Sequence, residues 1–250
     1  MDGYTLGIAQ RERKGAGVNG FQGFWLRGCG VMPIFVQKYP IMGNVHTHQS
    51  IRIQHRWFVG AETEVRPGRR LTDAELMEFC AENPELRVEM DKTGKLIIMP
   101  PVDYDGGIAE SKAHGYLFMW WQQHQKGQTF SPTAGFKLPD KSVRSADGAW
   151  ASDEKIAAIT PAQRKKFAPL VPDFVMEIRS SSDRIGKLKK KMTDVWLANG
   201  VRLAWLIDPK MKKAYVYRPG QPVEELNGFD RSLSGEDVCP GFELDLRKLL

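Results

Sequence analysis

Cysteine is scarce in this chain. Its 250 residues include three, Cys29, Cys80 and Cys239, at wide and irregular spacing. That excludes a disulfide framework and a cysteine-based zinc module. Long apolar runs are also missing. No stretch of about eighteen apolar residues occurs, so no membrane span is expected. Arg11, Arg13 and Lys14 are followed by no continuous apolar segment, so a secretory leader is not expected either. A reducing, cytoplasmic location is the expectation. Internal repeats and low-complexity tracts are absent. Acidic excess is absent too: 36 Lys and Arg face 30 Asp and Glu, a net charge of +6 with a pI of about 9.2. That balance suits a polyanionic partner, although it bears on association and not on fold.

The remaining composition, 42% apolar and 26% charged, suffices for a globular core. Residues 1–65 stand apart. They hold 10 of the 24 glycines and three of the five histidines, and no helical or strand period persists there. This stretch is expected to be a poorly ordered N-terminal extension. His46 and His48 lack a carboxylate or cysteine at ligand spacing and are not read as a metal site. A single domain is expected from residue 69 to 250.

Thr72-Asp73-Ala74-Glu75 is a capping box opening a short helix. Leu86–Met90 and Lys95–Met99 flank Asp91-Lys92-Thr93-Gly94, a hairpin signal. A helix is predicted from Ile108 to Gln125. Strands are predicted over Phe130–Leu138, Val143–Trp150 and Val171–Ile178, with a short helix after Thr160-Pro161. Asp183 is placed to cap a helix over Arg184–Ala198, ended by Asn199-Gly200 and followed by the apolar strand Leu203–Ile207. Strand, helix, strand implies a parallel pair, and the hairpins imply antiparallel ones. The fold class is therefore α/β, with a mixed central sheet flanked by helices and an N-terminal antiparallel hairpin.

Three residues carry chemistry. Asp147 and Glu177 are acids within apolar strand sequence, thirty residues apart, and a buried carboxylate is costly without a positive partner. Lys191 lies on the helix that follows. At about 100° per residue, with Leu188 at 0°, Lys191 falls at about −60°, beside the stripe of Ile185, Met192 and Val195. Lys190 falls on the opposite face, at about 200°. Lys191 can thus lay its stem along the core and bring its ammonium to the sheet. On residue types alone a buried ion pair is the commoner use of such groups. Two carboxylates with the backbone carbonyl of Ile178 would also suit Mg²⁺, with Mn²⁺ as a substitute. Basic clusters at Arg66/Arg69/Arg70, Arg164/Lys165/Lys166 and Lys210/Lys212/Lys213 could together follow a phosphate backbone. Trp120-Trp121 could stack bases or belong to the core.

Asp147, the run Phe174-Val175-Met176-Glu177-Ile178-Arg179-Ser180-Ser181-Ser182-Asp183-Arg184, Lys191, and Asn199 through Pro209 together resemble the Uma-two family of bacterial endonucleases, within the PD-(D/E)XK nuclease superfamily. The resemblance runs from about Leu71 to the C-terminus. It implies a restriction-endonuclease-like core and Mg²⁺-dependent endonucleolytic hydrolysis of phosphodiester bonds, with DNA as substrate. The alternative is a nucleic-acid-binding module of the same fold with weak or no cleavage. The resemblance also implies that Asp147 and Glu177 bind metal and that Lys191 assists the water. Arg179 would stabilise charge, and a helix-borne acid would be Glu110. Glu89, on the first hairpin, is a further candidate to line the site. A homodimer is compatible with this class. Three positions depart from the family pattern. Ala146 and Ser181 stand where prolines are usual, and Val195-Trp196 puts the aromatic after the lysine one residue out of step.

Overall fold

Two side-chain caps set where the first helices begin. The computed structural model describes residues 63–250 and, before them, the backbone of three short strands. The chain divides into two units, Met1–Pro100 and Pro101–Leu250. In the first, β1 (Leu6–Ile8), β2 (Gln22–Leu26) and β3 (Pro33–Val36) form an antiparallel sheet. The other residues before 63 lie outside the described residues, and with them the expectation of a poorly ordered extension, His46, His48 and Cys29. After β4 (Thr63–Val65), Thr72 and Glu75 exchange reciprocal caps at the start of α1 (Asp73–Glu82). β5 (Arg87–Met90) and β6 (Leu96–Met99) then pair antiparallel, Arg87 opposite Met99, and β4 adds to β6. The Asp91 carboxylate closes their turn by accepting from the Thr93 and Lys95 amides.

In the second unit α2 (Tyr104–His124) starts a turn earlier than the sequence pattern suggests. Asp103 supplies the reason: its carboxylate accepts from the Gly106 amide at 2.8 Å, offsetting the poor helix propensity of Gly106-Gly107. The two strands expected next are each broken in two, giving β7 (Gln128–Phe130) and β8 (Phe136–Lys137), then β9 (Val143–Arg144) and β10 (Gly148–Ala151). A turn in which Ala134 N–H donates to the Ser131 carbonyl makes the first break. The second falls at Ser145-Ala146-Asp147, where Asp147 takes part in a side-chain contact described below. α3 (Asp153–Ala157) follows. After Thr160-Pro161 there is only a 3₁₀ turn, Gln163–Lys165, with Thr160 and Gln163 capping one another.

β11 (Phe174–Ile178) runs parallel to β12 (Leu203–Asp208). Between them lies α4 (Ile185–Lys190), which continues as a π-helical turn, Lys191–Trp196, and a 3₁₀ turn, Leu197–Asn199. Gly200, at φ 101°, ends this helix in the left-handed region open to glycine. Asp183 does not cap α4. Its carboxylate turns back to the Ser180 amide and hydroxyl, and the first residue before the helix, Arg184, offers no side-chain cap. β13 (Lys213–Tyr217) and β14 (Glu224–Asn227) complete a six-stranded sheet of order β14-β13-β12-β11-β10-β7. Its β11–β12 pair is parallel and its other pairs are antiparallel, so the sheet is mixed, as expected. A hairpin of β15 (Ser232–Ser234) and β16 (Glu243–Asp245) lies near the C-terminus.

Strand alternation separates two cores. One face carries Phe174, Met176, Ile178, Trp205 and Ile207 against Leu117 and Trp120 of α2. The other carries Ala149, Val175, Ala204 and Leu206 against Met192 and Trp196. Trp120 is buried and donates its indole N–H to the Pro240 carbonyl, which places it in the core and not on a stacking surface. The Cys239 thiol is likewise buried, and desolvation pushes its pKa up.

Gly127 turns α2 into β7 at φ 65°, and a Cβ there would meet the Ala151 carbonyl and the Trp150 ring. Gly127→Ala is expected to destabilise the fold by about 1–3 kcal/mol, read as a lower urea midpoint with unchanged slope. An unchanged midpoint would show that the β7 edge relaxes freely.

Candidate active site

The register of β10 and β11 sets the geometry. Gly148 pairs with Met176 and Ala149 with Val175, so Asp147 and Glu177 stand next along the two strands. Both continue the face that carries Ala149 and Val175, towards the helix and away from α2. Asp147 accepts the Ile178 amide through Oδ2 at 2.7 Å, bridging the strand ends where the ladder stops. Both acids are buried, Asp147 at 7% exposure and Glu177 at 3%.

The Lys191 ammonium lies 2.9 Å from Glu177 Oε1 and donates to the Ser145 carbonyl at 3.0 Å. One cation thus touches both the glutamate and the segment leading into Asp147. Trp196 Nε1–H donates to the same Oε1 at 2.8 Å. The π-helical turn brings these two donors together. In a regular α-helix five residues span about 500°, which would put Lys191 and Trp196 about 140° apart. The wider i→i+5 turn returns them to one side. Lys190 is exposed, on the far face that the helical pattern assigns to it.

The other sequence candidates sit as follows. Arg179 does not turn to the carboxylate pair. Its guanidinium donates to Asp208 at 2.6 Å and to the Asp183 carbonyl at 3.2 Å, tying the end of β11 to β12 and to the loop before α4. Ile178 contributes its amide to Asp147, as above. Glu110 is half-buried on α2, and Glu89 is buried on β5 in the first unit. The loop after β11 is also fastened to α2: a hydrogen bond from Ser181, together with the Gly106 amide, holds the Asp103 carboxyl below the usual carboxylate range. Trp196 and the Ser145 carbonyl are site groups that the sequence pattern did not single out. The one available signal was the irregular spacing at Val195-Trp196.

Among the described residues no group of three or more His, Cys, Asp or Glu is set to hold a metal ion. Two carboxylates and backbone carbonyls are hard oxygen donors, and a pair of acids is the usual protein share of an Mg²⁺ site, which keeps several waters.

The mixed sheet with a helix crossing between its parallel strands is of the restriction-endonuclease-like fold class. A crystal structure described as "a putative nuclease belonging to DUF820" from Anabaena variabilis ATCC 29413 has this fold; it is 20% identical, with a TM-score of 0.55, covering 65% of this chain and 88% of that one. The family model Uma2, described as "Putative restriction endonuclease", matches residues 73–247, well over half of the chain. The chain belongs to the Uma2 family. Comparison with curated proteins gives no match. Among the described residues no helix is long and apolar enough to cross a membrane.

Because Glu177 is buried against Lys191, Lys191→Met is expected to cost about 1–3 kcal/mol of stability. Lys190→Met should stay within about 0.5 kcal/mol. Urea unfolding of both variants checks the pair; equal midpoints would mean that the Lys191 contact contributes nothing net.

Proposed function

We propose that this protein is a metal-dependent endonuclease that hydrolyses phosphodiester bonds in DNA. The observation that carries the reading is the convergence of Asp147, Glu177 and Lys191 at neighbouring strand ends, on one face of the sheet. Asp147, Glu177 and the Ile178 carbonyl would hold Mg²⁺, or Mn²⁺ in its place. When bound, the cation would lower the pKa of a water and offset the charge of the scissile phosphate. Lys191 would orient that water and stabilise charge growing on the phosphate oxygens. Arg179, held by Asp208, would keep the strand end and the Ser180–Asp183 loop in register with these groups. Exposed lysines at 165, 166, 190, 210 and 212 would contact the DNA backbone and supply salt-dependent affinity. A cytoplasmic location and a homodimer acting on both strands fit this reading.

One observation favours a second reading. Glu177 Oε1 is already engaged by an ammonium and an indole N–H, as in a purely structural ion pair. In that case the protein binds nucleic acid without efficient cleavage. Supercoiled and linear DNA incubated with Mg²⁺, Mn²⁺ or chelator separates the two. Asp147→Asn and Glu177→Gln should each reduce metal-dependent cleavage by at least about 10²–10⁴-fold, the effect of losing a positioned catalytic group. DNA binding measured by anisotropy should persist in both variants, since lysines supply most of it. Binding without cleavage by the unaltered protein would establish the second reading instead.

A further inference from the structure

Trp196 is fully buried, yet its indole N–H is spent on a carboxylate and not on the backbone carbonyls that Trp120, Trp121 and Trp150 use. Lys191 reaches the same oxygen, and its ammonium lies 5.7 Å from the Trp196 ring centroid. A carboxylate gripped on one oxygen by two donors from different directions loses its freedom to rotate about its last bond. A lysine alone does not impose this, because a flexible ammonium follows whichever oxygen is offered. The indole is rigid, with two side-chain torsions, and is fixed in the core among Met192, Ala204 and Leu206.

We propose that Trp196 is a positioning residue. By holding Oε1 it fixes the orientation of the Glu177 carboxylate next to Asp147, the orientation in which the pair would meet a divalent cation. This rests on the metal-dependent reading above. The π-helical turn is part of the device, since it lets Lys191 and Trp196 address one oxygen from the same helix. The indole touches neither substrate nor metal; it acts through Glu177.

The test is Mn²⁺ binding to the full chain without DNA, followed by electron paramagnetic resonance well below the melting temperature of each variant. The proteins are the unaltered chain, Glu177→Gln, Trp196→Phe, and a chain carrying 3-benzothienylalanine at position 196, which keeps the indole shape and replaces N–H by sulfur. Loss of a hydrogen bond to a charged group should weaken Mn²⁺ by about tenfold to a hundredfold in both position-196 variants. DNA affinity in chelator should not change. If Trp196→Phe fails to fold, the shape-conserving variant decides alone. Unaltered Mn²⁺ affinity in that variant, with Glu177→Gln weakened, would overturn the positioning role and leave the metal site standing. Equal Mn²⁺ affinity in the unaltered chain and Glu177→Gln would overturn the metal-dependent reading, and this inference with it.

Discussion

The second unit is organised about a carboxylate that ought not to be buried. Glu177 occupies a strand whose neighbours, Val175, Met176 and Ile178, are core, and it is 3% exposed. Removing a charged group from water costs several kcal/mol, which only partners with good geometry offset. The partners are specified by distant parts of the chain: Lys191 and Trp196 on the crossing helix, with Ser145 joined through Lys191. Meeting the needs of one side chain therefore fixes the helix against the sheet and the approach to β10 against β11. Asp147 completes the arrangement by accepting the Ile178 amide.

The ends of the parallel pair are secured separately. Arg179 bonds to Asp208, which also accepts the Met211 amide, so β11, β12 and the turn after β12 meet at one buried acid. At the other end Asp173 pairs with Lys155 and accepts the Ser152 amide, anchoring α3 to the start of β11. Each buried acid of β11 and β12 is matched by a base and a backbone donor or carbonyl bridge, as a low-dielectric interior requires. At the candidate site two buried acids, Asp147 and Glu177, stand side by side on adjacent strands, with Lys191 on Glu177.

Much of this was legible in the sequence because it depends on local pattern. The mixed sheet follows from an apolar strand, a basic amphipathic helix and a second apolar strand, and the structure has that order in β11, α4 and β12. The capping box at Thr72 and the hairpin over Asp91–Gly94 are local too. Strand continuity was less legible. Val143–Trp150 reads as one run, yet it is divided: Val143–Arg144 pairs with β8 and Gly148–Ala151 with β7 and β11, and Asp147 between them bonds to an amide thirty-one residues away, none of which a local pattern encodes. Helical periodicity placed Lys191 beside the core but did not bring Trp196 to the same carboxylate oxygen. A fixed 100° step cannot anticipate a turn widened to i→i+5. Asp183 had the form of a cap and was drawn instead to Ser180.

The widened turn has a consequence for how such chains can change length. One extra residue in an α-helix ordinarily rotates everything beyond it by about 100°, which would bury polar groups and expose apolar ones. Here the widening is confined to Lys191–Trp196, and the helix still closes at Gly200 in time to feed β12. A helix that can store an added residue beside its most constrained contacts lets a lineage gain or lose one there with both flanking strands unmoved. Aligned against a relative with the regular spacing, such a chain would show a single-residue gap inside a helix, where gaps are otherwise rare.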